Sequence, residues 1–470
     1  GLNLIGLRSA TEISTSISQM FSSKFNDDKK TLTFSDNVQD AAHRAGFFNA
    51  RTWKFGVRGA MQQYAVNGGN GQNLEDFCSG FLKYWHEKMD DEEFSSFFTP
   101  PNLTWMRAYE SMVKNRKITY DKDYSNLVYR TEKRIAYEIM LEYGLTSHIG
   151  RTLEKSGCSV LNFDKETVNS VVKTTHERLV NELALTNVAE EDIKQMVIGV
   201  LDIMRRNGAF DDEIYRSYVS DNFNEFLLRP DYQKGFRIWL PAPRSKLRLV
   251  ARNNQNLKIK FKTFDLITDS KYYNWVSLCF KDMLVSEDVP SIILDELLKH
   301  GIINKLPAEN IEVYGINKAK TYITSDVAFV KCSHCGTRHT VSADSLSVWN
   351  GAPCVNGNCC GRMEEDTDRK TDYYGRLYST GDLARINASE HTGLLQRTDR
   401  EELEKDFKRS KDQQKLYDPN VLSCTPTLEM GIDIGDLSSV ILCSMPPSQA
   451  NYAQRVGRAG RKDGNAITLA

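Results

Sequence analysis

Short strand-like runs occur at both ends of this sequence, and between them the pattern changes. Near the N-terminus, Lys30-Thr-Leu-Thr-Phe-Ser35 reads as a buried strand that breaks at Asp36-Asn37 into a helix carrying Ala41, Ala42, Ala45 and Phe48 at helical spacing. Near the C-terminus, Asn420-Val-Leu-Ser-Cys424, Ser439-Val-Ile-Leu-Cys443 and Ala466-Ile-Thr-Leu469 are three more such runs, with a helix from about Gln449 between the last two. Strands alternating with helices imply a parallel sheet. The two ends therefore form one α/β lobe, interrupted by roughly 320 residues of insert.

The insert has a different rhythm. Ile193, Met196, Val197, Val200, Leu201 and Met204 form a helical stripe that stops at Arg205-Arg206-Asn207-Gly208. A second stripe, Ile292, Ile293, Leu297 and Leu298, stops at Lys299-His300-Gly301 before the strand-like Ile302-Ile303, an order compatible with a winged-helix module. The expected layout is residues 1–52 as the first part of the lobe and 53–325 as a mainly helical insertion. Residues 326–370 follow as a zinc-binding module, and 371–470 complete the lobe.

That module rests on cysteine spacing. Five of ten cysteines lie between Cys332 and Cys360, in the form C-x2-C-x18-C-x4-C-C. Two close pairs of thiolates suit a tetrahedral, closed and therefore structural Zn2+ site. Cys332, Cys335, Cys354 and Cys359 are the expected ligands, with Cys360 the alternative to Cys359; His334 and His339 sit too close to the first pair. The cluster lies in a long chain without a basic-then-apolar signal segment, which points to a reducing cytoplasm. No apolar run approaches the ~18–20 residues of a membrane span, so no membrane partner is expected.

Net charge is uninformative: Lys+Arg 61 against Asp+Glu 62 leaves −1, so any nucleic-acid surface must be a local patch. One candidate runs from Arg244 to Lys262, with seven bases (Arg248, Lys258 and Lys260 among them) and no acid. Apolar residues alternate with the bases around Asn253-Asn-Gln-Asn256, which reads as a β-hairpin with one apolar and one basic face. It is either a phosphate-tracking arm or an ordinary solvated face.

The second patch is Gln454-Arg455-Val456-Gly457-Arg458-Ala459-Gly460-Arg461, three arginines at spacing three, read as one face of a helix end. Guanidinium groups clustered this way stabilise charge on a transferred phosphoryl group; alone, such a run is more often a solvated helix end. Upstream lies Cys424-Thr-Pro-Thr-Leu-Glu-Met-Gly-Ile-Asp-Ile434, a strand followed by a loop at the sheet's carboxyl edge, where open α/β sheets bind ligands.

These two segments resemble motifs V and VI of superfamily 2 helicases, ATP-driven nucleic-acid motors built from two RecA-like lobes. Thr33-Phe34-Ser35-Asp36-Asn37 resembles motif IV, so together they look like the second lobe. The cysteine cluster and the Pro446-Pro447 strand exit make the chain similar to bacterial zinc-bearing helicases of DNA-repair and phage-defence systems. The resemblance implies that Arg458 and Arg461 are arginine fingers toward the γ-phosphate of ATP, held with Mg2+ on the first lobe, and that Gln454 opens their motif. It implies that Gly431 and Asp433 contribute to the nucleotide site, Asp433 at the ribose. Ser35 and Thr425 would touch the nucleic-acid backbone, with DNA the expected polymer. The segment Glu390-His391-Thr392-Gly393 with Arg400–Phe407 is similar to the region before motif V, or is simply a mixed-charge surface helix.

The first lobe's signatures do not occur. There is no Gly-Lys dipeptide, hence no Walker A loop, and none of Asp91-Glu92, Asp212-Glu213 and Asp295-Glu296 continues as a helicase metal-binding motif. The expectation is half of a motor whose N-terminal RecA-like lobe lies elsewhere in the same protein. The alternative is a non-enzymatic winged-helix and zinc module, binding nucleic acid or protein, with a degenerate motor lobe. The chain as given should show no nucleic-acid-stimulated ATPase in a phosphate-release assay; robust stimulated turnover would contradict this reading.

Overall fold

The computed structural model describes residues 2–469 except 25, 27, 119–126, 225–246, 253–262, 266–269, 281–287, 310, 357–358, 369–371, 427–433, 436, 438 and 461–465. The chain divides into two compact units. The first comprises Gly1–Ala60, Trp85–Thr131 and Leu377–Ala470; the second comprises Met61–Tyr84 and Glu132–Arg376. Among the described residues no helix is long and apolar enough to cross a membrane.

The first unit is built on a five-stranded sheet in the order Ala388–His391, Val421–Cys424, Thr31–Phe34, Ser439–Leu442, Ile467–Leu469. Every neighbouring pair is parallel. Such a sheet must be covered on both faces, and alternation along the strands supplies two apolar surfaces. Leu32, Phe34, Leu422, Val440 and Leu442 pack with Phe407, Ile434 and Leu437 on one face. Val421 and Ile441 pack with Ile17, Phe21, Ala45 and Phe48 on the other. Those last four come from helices Leu2–Ser22 and Val38–Tyr64. This is a three-layer, RecA-like α/β lobe, with the four expected strands in place. The fifth, Ala388–His391, has the sequence Ala-Ser-Glu-His, which carries no strand signal.

In the second unit, helix Glu190–Arg206 buries the expected stripe from Ile193 to Met204 and stops at Asn207. After it come strand Leu249–Arg252, helices Lys271–Cys279 and Asp288–Lys299, and strands Ile303–Leu306 and Glu312–Ile316. The last two strands pair antiparallel, and Glu312–Ile316 pairs antiparallel with Leu249–Arg252. This order and pairing is a winged-helix arrangement.

The turn and second arm of the expected basic hairpin, residues 253–262, lie outside the described residues. In the described arm Leu247 and Leu249 are buried, and Val250 and Ala251 beyond them are buried as well. Further on, strand Thr263–Asp265 runs parallel to Leu249–Arg252. Arg252 ion-pairs with Asp295 at 2.8 Å and Arg248 is half-buried. Lys258 and Lys260 lie outside the described residues.

The cysteine-bearing part is a three-stranded antiparallel sheet of Met363–Glu365, Val327–Cys332 and Arg338–Ser342. A buried charge network ties it to helix Glu190–Arg206. Arg205 reaches Glu154 at 2.7 Å and Asp202 at 2.6 Å. Arg206 reaches Asp202 at 2.8 Å, Glu154 at 3.3 Å and His339 Nδ1 at 2.7 Å. Burial alone would raise the Glu154 and Asp202 pKa values, but the two arginines outweigh it and hold both down. His339 is pushed down from 6.5 to about 4, by burial first and by Arg206 second. It is therefore neutral, and its Nδ1 accepts from Arg206.

The sign of the pH dependence follows. As pH falls from about 6.5 to about 4, the unfolded chain protonates His339 before the folded one does, so stability is lost across that window. The carboxylates, with depressed values, add their loss at lower pH. Urea melts across pH should show this slope, and His339→Asn should flatten the upper part while leaving the acid-limb loss below it.

Candidate nucleotide and nucleic-acid edge, and a four-cysteine cluster

The carboxyl ends of the first unit's strands converge on one edge. The Ser35 amide donates to the Cys424 carbonyl at 2.8 Å, and the Cys443 amide to the Phe34 carbonyl at 2.9 Å. Ser35 and Thr425 therefore lie side by side just beyond adjacent strands, both buried. His391 ends the neighbouring strand, opposite Cys424. Its Nε2 lies 2.9 Å from Glu404 of helix Arg397–Lys408, whose Phe407 is in the core. The mixed-charge segment is thus a surface helix with one working face, and it fixes a buried histidine at the same edge. The sequence signal for that would have been Phe407 and Glu404 three residues apart, opposite an otherwise polar face.

The arginine run is arranged differently from expectation. Ser448 caps helix Gln449–Val456 through the Asn451 amide, and the helix stops at Gly457. Arg455 is in its last turn, but Arg458 lies beyond it, so these two arginines do not share one helical face. Gly460 takes φ +70°, the left-handed region a helix cannot use, and its amide donates to the Leu437 carbonyl at 3.0 Å. Arg455 is only 1% exposed. Its guanidinium lies 5.4 Å from the Phe34 ring centroid, and its Nη1 is 3.7 Å from Asp36. Its role is to hold this turn against the central strand. Arg458 is 6% exposed and acts electrostatically on Cys424 at the same edge. Gln454 is exposed. Gly431, Asp433 and Arg461 lie outside the described residues.

In the second unit, Cys332, Cys335, Cys354 and Cys359 bring their sulfurs within 4.8 Å of one another. The Sγ–Sγ separations are 3.7 Å for Cys332–Cys359 and 3.6 Å for Cys335–Cys354. Cys360 is exposed and outside the group. Amides turn toward the sulfurs: those of His334 and Cys335 donate to Cys332 (3.4 and 3.5 Å), Asn356 to Cys354 (3.4 Å) and Gly361 to Cys359 (3.4 Å). Such donors favour thiolates. The bond with Thr337 holds the Cys335 pKa down to about 6. Gly361 is required by close approach, since a Cβ there would sit 2.5 Å from Cys332 Sγ. Four thiols so placed can hold one tetrahedral metal ion.

The winged-helix unit offers less to nucleic acid than its topology suggests. Asp295 and Glu296 on helix Asp288–Lys299 meet Arg178 at 3.5 and 3.3 Å, from helix Lys165–Leu183. The helix that such units place in a groove therefore carries acids and is engaged by a neighbour.

Residues 365–463 match the helicase conserved C-terminal domain. The matched segment is similar to the C-terminal domain of helicases. Similar stretches occur in the Druantia protein DruE of Escherichia coli, 38% identical over 100 residues, and in the ATP-dependent helicase HRQ1 of Saccharomyces cerevisiae, 41% over 63 residues. An uncharacterized ATP-dependent helicase of Methanocaldococcus jannaschii, MJ1574, is 40% identical over 105 residues. These matches cover 20, 13 and 22% of this chain and only 5, 6 and 14% of the respective relatives. No solved structure matches the chain. The matched segment contributes Thr425 and the Arg455–Gly460 turn to the edge described above, and strand Thr31–Phe34 pairs with it from the far end of the sequence.

Proposed function

We propose that this chain supplies the second lobe of an ATP-dependent helicase or translocase acting on nucleic acid, with DNA as the polymer. The observation that carries this reading is the edge where Ser35, Thr425 and the Arg455–Gly460 turn meet beyond parallel strands, with Thr425 and the turn inside the segment that matches the helicase conserved C-terminal domain. ATP with Mg2+ would be held chiefly on a first RecA-like lobe of the same protein, and its hydrolysis supplies the driving force. This lobe's part is electrostatic. Arg458 and Arg461 meet the γ-phosphate, Gln454 lies at the opening of their motif, and Gly431 and Asp433 face the nucleotide. Arg458 lies folded against its own lobe, so presenting it requires an outward swing of the side chain.

Ser35 and Thr425 would contact the sugar-phosphate backbone, the sequence-independent contact a translocating motor needs. The basic segment around Arg248, Lys258 and Lys260 would add a further backbone contact. The degenerate-lobe alternative is disfavoured by the complete Gln-Arg-x-Gly-Arg-x-Gly-Arg run. In a protein that also carries the first lobe, Arg458→Ala should lower nucleic-acid-stimulated ATPase by about 10³-fold or more and leave binding of single-stranded DNA intact. Undiminished turnover in the folded variant would overturn the motor reading, and running the assay with DNA and RNA in parallel tests the polymer.

The cysteine module, residues 326–370, would hold one structural zinc on Cys332, Cys335, Cys354 and Cys359. The all-cysteine donor set and its amide hydrogen bonds support that choice of metal. The purified chain should carry about one equivalent of zinc per molecule. Cys354→Ser should abolish that and lower the melting temperature, whereas Cys360→Ser should change neither. Zinc retained by Cys354→Ser would overturn the ligand set.

A further inference from the structure

The first unit holds a cavity of about 630 Å³ beside the amino end of strand Ala388–His391, away from the edge that carries Ser35 and Thr425. That volume is in the range of small-molecule pockets. Its walls include Asn49, Thr104, Tyr109, Ser389 and Tyr417, which offer neutral polar groups, and Arg385.

Arg385 is the unusual member. The residue is 5% exposed, and its guanidinium donates only to neutral acceptors: Nε to Asn387 Oδ1 at 3.2 Å and Nη1 to the Phe97 carbonyl at 3.3 Å. Among the described residues no carboxylate pairs with it, and Nη2 has no protein partner. Burial pulls its pKa down. A buried cation without a counter-ion is costly and normally finds one. The other arginines of the cavity have theirs. Arg116 is bidentate to Asp418 at 2.8 and 3.0 Å, and Arg409 bonds to Asp406. The wall's remaining acids, Glu110 and Glu402, are exposed, as is Lys114. The Tyr417 hydroxyl is buried in the wall with no partner.

We propose that this pocket binds a small free oxyanion, a phosphate or carboxylate group, on the Arg385 guanidinium. Planar guanidinium donors match such an anion, and the hydroxyls of Tyr109 and Thr104 would complete its shell. The bound anion supplies the counter-charge that the protein itself does not. This site is separate from the helicase edge and does not depend on the function proposed for it.

The test is thermal melting of the chain with inorganic phosphate and, separately, acetate, against chloride at matched ionic strength. A ligand of the folded state raises the melting temperature saturably. The expected result is such a rise at millimolar concentrations with at least one oxyanion and not with chloride. Arg385→Gln should weaken it tenfold or more, and Tyr109→Phe, which keeps the guanidinium, should weaken it several-fold. Should Arg385→Gln fail to fold, Tyr109→Phe carries the test. No saturable rise with either anion, or a rise unchanged in both variants, would overturn the site. A short DNA oligonucleotide that competes with phosphate would also overturn it, because the pocket would then be reading the polymer and not a small free anion.

Discussion

Everything in the first unit depends on one non-local pairing. Strand Thr31–Phe34 lies between Val421–Cys424 and Ser439–Leu442, with Thr31 in register with both Val421 and Ser439. The intervening chain must leave the sheet and return to it within strand spacing. Closing so long a loop costs entropy that grows only slowly with length, and the reward is concentrated in the centre of the sheet. Leu32 and Phe34 are fully buried there, each contributing about 1.5–3 kcal/mol by leaving water. A large insert is therefore tolerable as long as it folds on its own core. The second unit meets that condition with its own helices, its winged-helix sheet and its cysteine-bearing sheet.

The same pairing aims the chemistry. Parallel strands put all their carboxyl ends on one edge, so residues nearly 400 positions apart, such as Ser35 and Thr425, become neighbours. Arg455 then anchors the following turn by lying over the ring of Phe34 on the central strand. Two arginines three residues apart thus differ in kind. One is part of the lobe's packing, and the next is placed by a glycine turn at the edge. Charge in the second unit works in yet another way. Arg205 and Arg206 are neutralised by Glu154 and Asp202 in the interior, where their hydrogen bonds specify how the cysteine sheet seats on the helix.

Much of this was legible residue by residue. The runs around Leu32, Leu422 and Ile441 are apolar enough to be strands in any context. The stripe from Ile193 to Met204 can only be one face of a helix, and the spacing of Cys332, Cys335, Cys354 and Cys359 already selects four sulfurs. Strand Ala388–His391 was not legible, because Ser389 and Glu390 carry no β signal and the strand exists by pairing with Val421–Cys424. The arginine spacing misled because Gly457 caps the helix and Gly460 takes a left-handed φ, so Arg458 lies beyond the helix.

The sequence alone thus determined the local types: which runs are strands, where the cysteines cluster, and that a helicase-like arginine run follows a strand and loop. Local propensity and spacing suffice for these, since each is decided within a few residues. Only the tertiary structure decided which charges are used internally. Burial turns Arg455 and Arg205 into packing elements and leaves Arg385 with no carboxylate among the described residues, while Asp295 is engaged by Arg252 and Arg178. The reason is physical: the strength of a charge depends on what surrounds it and how much water remains, and neither is written in the spacing of the residues.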